Sequence, residues 1–258
     1  PDGPLNLIPF EALSDSEGVA MLDKVSLSYL STGRDLLRYD GIKREDLSPP
    51  TVIANPDYGE GKWSSLPGTQ SEADMLSSLY PQANIYTKKH ATAEDLRDLS
   101  KPEILHIATH GFALKDNPQL DSDNNPMTRS GLKLAGANDP NKPDTQLLAS
   151  EAVTLDLDGT RLVVLSACES GLGEAENGEG VYGMRRALTL AGAQSQVVSL
   201  WEVSDEATSV FMEGFYTRVQ QGEPLSQAMR AVKQEMKDSE EWNNPVFWAP
   251  FVLAGEWR

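Results

Sequence analysis

Residues 103–111 read EILHIATHG, and residues 161–168 read RLVVLSAC. In each segment a short run of apolar and β-branched residues leads into a reactive side chain, His110 in the first and Cys168 in the second. Continuous apolar runs of this length are typical of strands that are buried on both faces of a parallel sheet. The two segments therefore predict neighbouring central strands that end at His110 and Cys168.

Further strands and helices alternate around these two segments. Strands are predicted at residues 51–55, 83–87 and 196–201, and helices at 70–79, 93–99 and 179–190. The alternation indicates βαβ units in a mostly parallel sheet. Two more helices follow the fifth strand, and the second has an apolar stripe formed by Leu225, Ala228, Met229, Val232 and Met236. A last strand is predicted at 246–253, at an edge of the sheet because Pro250 cannot donate to a ladder.

Length, charge and cysteine content limit the function classes. The 258 residues contain no internal repeat and no obvious linker, so we expect one domain over 1–258, with 1–50 as its less clearly patterned N-terminal portion. A net charge of −17 opposes binding to nucleic acid or anionic membranes. No apolar run approaches the ~18 residues of a membrane span. The single cysteine fits a reducing compartment, which predicts a cytoplasmic location.

Two stretches interrupt the regular pattern, and the chain opens without a methionine. Residues 115–144 and 169–179 are rich in glycine or in polar residues and predict mobile loops, with one short strand candidate at 132–135. The chain begins at Pro1 and has no charged and apolar leader. We therefore expect it to be part of a longer protein.

Two cofactor motifs are present in part, and neither is complete. His106 and His110 are four residues apart, but on a strand this spacing is ~13 Å, so they cannot chelate one metal ion. We instead expect His106 to be a hydrogen-bonded histidine of the core. Residues 178–183 match GxGxxG, but they lie far beyond the end of the preceding strand and among glutamates that would repel a pyrophosphate. We therefore expect neither a metal nor an organic cofactor.

Cys168 and His110 remain as a candidate pair. Adjacent strands lie ~4.8 Å apart, so side chains at neighbouring strand ends can meet across a cleft. An imidazole can accept the thiol proton, and the thiolate can attack a carbonyl carbon. The backbone N–H groups of Gly111 and Cys168 would bind the oxyanion. The alternative is that Cys168 is a small buried hydrophobic residue without a chemical role.

The chain also resembles a known family, the CHAT domain, a branch of the caspase and separase superfamily. The matching segments are 1–13, 105–111, 163–171, 178–180, 186–193, 198–201, 205–208 and 245–255. The resemblance implies an α/β three-layer sandwich with a six-stranded sheet in the order 2-1-3-4-5-6, the last strand antiparallel and helices on both faces. It also implies a cysteine endopeptidase that cleaves a protein substrate, with Cys168 as nucleophile and His110 as general acid and base. Upstream tetratricopeptide repeats or a regulatory partner chain are implied as well.

The resemblance leaves the cleavage site open. Asp205 follows the fifth strand, where related proteases build the pocket for the residue before the scissile bond. An acid there would favour Arg or Lys, with Glu202 as a second candidate. Asp205 also has the alternative role of stabilising a helix N-terminus. A catalytically silent interaction domain of the same fold is the rival function.

Overall fold

The computed structural model describes residues 3–40, 47–113, 125–166 and 179–258. Its strands are β1 (Thr51–Pro56), β2 (Asn84–Lys88), β3 (Ile104–Ala108), β4 (Gly111–Ala113), β5 (Ser130–Lys133), β6 (Gln146–Leu148), β7 (Leu162–Ser166), β8 (Ser195–Ser199) and β9 (Phe251–Gly255). Its α-helices are α1 (Met21–Lys24), α2 (Asp35–Arg38), α3 (Pro67–Leu79), α4 (Ala93–Arg97), α5 (Pro126–Arg129), α6 (Ala149–Ala152), α7 (Glu179–Ala191), α8 (Asp205–Gln220), α9 (Leu225–Asp238) and α10 (Pro245–Trp248). Two 3₁₀-helices, Gly3–Leu7 and Phe10–Ala12, precede them.

The main sheet has six strands in the order β2-β1-β3-β7-β8-β9. Neighbouring strands are parallel except for β8 and β9, which are antiparallel. Numbered along the chain within this sheet, the order is 2-1-3-4-5-6, as the resemblance implied. Every residue of β3 is buried, because its side chains alternate between two covered faces of the sheet.

Helices cover both faces of the sheet, which confirms the three-layer α/β sandwich. Ile104 of β3 packs in the cluster formed with α3, α8 and α9, whereas Leu105 packs in the cluster formed with α4, α6 and α7. The five stripe residues predicted on α9 are all buried in the first cluster. None of the helices in the described ranges is long and apolar enough to cross a membrane.

A second, small sheet lies beside the main one, and the sequence analysis did not predict it. It is antiparallel, in the order β4-β5-β6. Part of the predicted loop at 115–144 is therefore regular, since α5 and β5 lie within it, while residues 114–124 are outside the described ranges. The strand candidate at 132–135 overlaps β5, but strands of three residues such as β4 and β6 carry too little alternation to be recognised. Gly131 allows the close pairing, because a Cβ there would lie 2.3 Å from the carbonyl oxygen of Leu147.

The final strand begins later than predicted. The apolar run at 246–253 predicts one strand, but Pro245–Trp248 forms the short helix α10, and β9 starts after Pro250. Asn244 caps this helix by accepting a hydrogen bond from the N–H of Val246 at 3.0 Å. Pro250 therefore precedes β9, where its carbonyl accepts from the N–H of Leu200 at 3.0 Å, and β9 is at the edge of the sheet as expected.

The outer edge of β9 and the surface of α9 are covered by the N-terminal segment. The N–H of Tyr29 donates to the carbonyl of Leu253, and the carbonyl of Tyr29 accepts from Gly255, both at 2.8 Å. Glu11 forms a buried ion pair with Lys233 of α9. These contacts protect the exposed strand edge and hold residues 3–40 against the main sheet.

Candidate active site

His110 lies two residues beyond the end of β3 and is 5% exposed. Its ring packs between two aromatic side chains of the segment that follows β1. The ring centroids are 5.1 Å apart for Tyr58 and 5.4 Å apart for Trp63. The imidazole is therefore held at the carboxyl ends of the parallel strands, where ligands bind in open α/β sheets.

The tautomer of His110 follows from its contact with the main chain. Nε2 is 2.8 Å from the carbonyl oxygen of Ser64. Because a carbonyl only accepts, Nε2 carries the hydrogen and donates it. Nδ1 is then the basic nitrogen of the neutral ring. A side chain whose second nitrogen is fixed in this way is suited to general acid and base catalysis.

Asn138 fixes the segment that carries Ser64. Its Oδ1 accepts from the N–H of Trp63 at 2.9 Å, and its Nδ2 donates to the carbonyls of Trp63 and Gly59 at 2.8 and 3.0 Å. One amide side chain thus satisfies three main-chain groups of this connection. The carbonyl that orients His110 is consequently on a fixed backbone.

The backbone of His110 is held by a chain of hydrogen bonds. Its N–H donates to the hydroxyl of Tyr58 at 3.2 Å, and that hydroxyl donates to Oγ1 of Thr109 at 2.7 Å. Oγ1 of Thr109 in turn donates to the carbonyl of Lys133. The N–H of Lys133 donates back to the carbonyl of His110 at 2.9 Å. Both sides of the His110 peptide are thus tied to the second sheet.

Burial and nearby charge act on the His110 pKa in opposite directions. Burial disfavours the imidazolium and lowers the pKa below its ordinary value of 6.5. The Ser64 carbonyl and the carboxylate of Glu202 oppose this shift, but they do not cancel it. Glu202 follows β8, so the end of this strand is near enough to His110 for the carboxylate to act on the pKa of the imidazole. Neutral imidazole, the form that accepts a proton, therefore persists to lower pH than in a free histidine.

The N–H of Gly111 points away from the neighbouring strand β5. Gly111 pairs with Leu132, and the preceding bond joins the N–H of Lys133 to the carbonyl of His110. Opposed residues in an antiparallel pair alternate between hydrogen-bonded and non-hydrogen-bonded. Gly111 is at a non-hydrogen-bonded position, so its N–H faces away from β5. A donor in this orientation is compatible with the oxyanion role expected from the sequence.

Cys168 lies outside the described residues, but the strand that leads to it does not. β7 is parallel to β3, and Ser166 is paired with Ala108 in the register. His110 follows Ala108 by two residues, as Cys168 follows Ser166 in the sequence. The prediction that the two segments form neighbouring central strands is therefore confirmed.

His106 is part of the core, as predicted. Its side chain is fully buried, and Nδ1 is 3.0 Å from the hydroxyl of Tyr216 on α8. Nε2 lies 3.1 Å from Oε2 of Glu72 on α3, although the two atoms are not aligned as a hydrogen bond. Oε1 of Glu72 accepts from the hydroxyl of Ser166 at 3.0 Å. His106 thus belongs to a polar cluster inside the sandwich, away from the cleft.

The two acidic candidates lie at the start of α8 and just before it. Ser204 is the N-cap, and its hydroxyl accepts from the N–H of Ala207 at 3.3 Å. Asp205 is in the first turn and is exposed, and its Oδ2 accepts from the N–H of Gly68 at 3.0 Å. That N–H belongs to the first turn of α3, so Asp205 joins the N-termini of two helices. Glu202 is also exposed.

Several site residues were not found from the sequence. Ser64 acts through its carbonyl, which every residue type provides, so its identity carries no signal. Tyr58, Trp63 and Lys133 come from separate segments, and the fold brings them to His110. The described residues contain no group of three or more His, Cys, Asp or Glu side chains arranged to hold a metal ion.

Comparisons with known proteins agree with this architecture. The CHAT domain family model matches residues 1–256. Tetratricopeptide repeat protein 28 of Homo sapiens is 27% identical over 98% of this chain and 12% of the human protein. Its Mus musculus counterpart is 24% identical over the same shares. The chain thus spans about one eighth of the length of these relatives.

A solved structure shares the fold. The Saccharomyces cerevisiae separase in complex with securin aligns with a TM-score of 0.55 and 14% identity, over 97% of this chain and 14% of that one. At this identity the likeness concerns the fold alone. Together with the family match over nearly the whole length, the six-stranded sheet establishes that the chain belongs to the CHAT domain family.

Proposed function

We propose that the chain is a cysteine endopeptidase domain that cleaves a protein substrate with Cys168 and His110. The observation that carries the proposal is the contact of His110 Nε2 with the Ser64 carbonyl, which leaves Nδ1 as the basic nitrogen. The family match and the separase-like fold support the same class of reaction. No cofactor is needed for it.

The proposed reaction uses acyl transfer through a thioester. Nδ1 of His110 accepts the thiol proton of Cys168, and the thiolate attacks the scissile carbonyl carbon. The N–H groups of Gly111 and Cys168 stabilise the resulting oxyanion. As the C–N bond breaks, the imidazolium gives its proton to the leaving amine. Water then attacks the thioester, His110 accepts its proton, and the thiol is restored when the acid product leaves.

The wider context of the domain is part of the proposal. The contacts of residues 3–40 with β9 and α9 support one domain over 1–258. The relatives are tetratricopeptide repeat proteins, which supports a repeat region or regulatory partner acting on this domain. A cytoplasmic location is consistent with the single cysteine of the sequence.

The decisive experiment uses Cys168, because it is the one thiol in the sequence. Alkylation by iodoacetamide at pH 6 to 7 should be faster than for a free thiol, since a paired imidazole favours the thiolate. Cys168→Ala should abolish cleavage of a proteome-derived peptide library and leave the melting temperature nearly unchanged. Cleavage that persists in the variant would exclude Cys168 as nucleophile. Alkylation at the free-thiol rate, with no cleavage, would favour the silent interaction domain.

A further inference from the structure

Two lysines share one aromatic ring next to His110. The Nζ atoms of Lys62 and Lys133 lie 5.0 and 5.2 Å from the ring centroid of Trp63, and Nζ of Lys133 is also 4.3 Å from that of Phe112. Neither ammonium forms an ion pair with a described residue, although Lys133 donates to Oε1 of Gln146 at 2.5 Å. In a chain of net charge −17, two ammonium groups that face one aromatic ring without an ion-pair partner among the described residues form an unusual local environment.

This lysine pair, Lys62 and Lys133, is linked to the imidazole through the ring of Trp63. The Trp63 ring that both cations face is 5.4 Å from the ring of His110. The N–H of Lys133 bonds to the carbonyl of His110 at 2.9 Å. Phe112 follows His110 by two residues. The two lysine charges therefore lie next to the aromatic ring that contacts the proposed general acid, His110.

The strand order places Lys62 and Glu202 on opposite sides of His110. Lys62 follows β1, on one side of β3, whereas Glu202 follows β8, beyond β7 on the other side. Strand spacing of ~4.8 Å separates β1 from β8 by about 14 Å. Cys168 follows β7 in the sequence, so we expect the nucleophile on the Glu202 side of the imidazole. Lys62 and Glu202 thus carry opposite charges on the two sides of the imidazole.

The proposed reaction determines which part of the substrate lies on each side of His110. His110 must reach the leaving amine to protonate it, so the residues after the scissile bond begin next to the imidazole. The acyl part is attached to the nucleophile and lies toward β7 and β8. Residues after the bond therefore pass Trp63 and the lysine pair.

The two lysine charges repel each other, and neither has a carboxylate partner among the described residues. Burial, and then the charge of Lys62, lower the pKa of Lys133 below its ordinary value. A carboxylate bound next to these ammonium groups would stabilise their charged forms by charge-assisted hydrogen bonds. Resting on the proposed function, we propose that Lys62, Trp63 and Lys133 form a subsite for an acidic residue one or two positions after the scissile bond.

Binding of short product mimics tests the subsite without requiring cleavage. The probes are Asp-Ala-Ala-amide and Ala-Asp-Ala-amide, each compared with its Asn twin by NMR titration of the full chain at low salt. At least one Asp peptide should bind about three- to tenfold more tightly than its Asn twin, and 0.5 M salt should weaken this preference. The overall negative charge of the chain favours the opposite result, because it repels an acidic peptide.

Variants assign the preference to the lysine pair. In the double variant Lys62→Met, Lys133→Met, the Asp to Asn ratio should fall to about one, while the apolar stems still cover Trp63 and Phe112. Lys101→Met is the control, because it removes one lysine charge next to Asp158, before β3 begins, and should keep the ratio. Equal binding of the twins, or a ratio that survives in the double variant, would overturn the subsite. A chain that cleaves nothing yet keeps the ratio would overturn the peptidase proposal alone.

Discussion

His106 and His110 are four residues apart, and both are almost completely buried, yet their surroundings differ in kind. His106 contacts side chains of two helices, Tyr216 and Glu72, inside the sandwich. His110 is fixed by a main-chain carbonyl, that of Ser64, at the end of the strand. Burial alone therefore does not separate a structural histidine from a catalytic candidate. The partners of the ring and its position relative to the strand end make the distinction.

The largest expected effect concerns His110. His110→Ala should lower turnover by roughly 10²- to 10⁴-fold, because both the acceptance of the thiol proton and the protonation of the leaving amine are lost. The measurement is kcat on a peptide substrate. His90→Ala, at an exposed histidine, is the control and should have normal turnover. If His106→Ala abolished turnover with the fold intact while His110→Ala did not, the two roles would have been assigned to the wrong histidines.

The second expected effect is on stability and concerns His106. His106→Ala removes a fully buried ring and leaves Glu72 and the Tyr216 hydroxyl without it. The free energy of unfolding should fall by about 2 to 4 kcal/mol, from the cavity and the unpaired polar groups. Urea denaturation measures this change, with His90→Ala again as control. A loss below about 0.5 kcal/mol would show that the cluster around His106 contributes little to the fold.

The third prediction uses the pKa of His110, measured by NMR titration in the Cys168→Ala variant so that no thiolate contributes. The midpoint should lie below the ordinary 6.5, because burial disfavours the charged ring. Glu202→Gln should lower it further, since the carboxylate raises this pKa. A midpoint above 6.5 would show that Ser64 and Glu202 outweigh burial.

The same shift links His110 to stability. Between its lowered pKa in the folded chain and 6.5, the unfolded chain binds more protons than the folded one. The contribution of neutral His110 to the free energy of unfolding is therefore fully present above pH 6.5. It is lost as the pH falls from 6.5 through the lowered pKa of the folded chain. His110→Ala should flatten that part of the stability profile relative to the Cys168→Ala parent.

The fold was predictable where the strands are buried on both faces. β1, β3 and β7 are mostly apolar and almost entirely buried, and their order in the sheet follows from the family resemblance. The second sheet was not predictable, because strands such as β4 and β6 have three residues each. The strand at the C-terminus was misplaced because the short helix α10 is also apolar and so continues the hydrophobic run.

The site was predictable only where side-chain identity matters. His110, with Gly111 directly after a strand, is visible in the sequence, and the structure fixes its tautomer. The Ser64 carbonyl and the clamp by Asn138 depend on main-chain groups and on contacts between distant segments. No residue pattern encodes such contacts locally, so only the folded chain reveals them.

The smallest expected effect concerns Asp205 and the acidic side of the cleft. We expect its charge to favour Arg or Lys before the scissile bond, but the side chain is exposed and one of its oxygens already accepts from Gly68. Asp205→Asn keeps an acceptor for that N–H, so the melting temperature should hold. The Arg and Lys preference in a peptide library should fall by about two- to fivefold, the range of an exposed ion pair. A loss of stability with unchanged selectivity would restrict Asp205 to joining α3 and α8, and Glu202 would become the next candidate for the pocket.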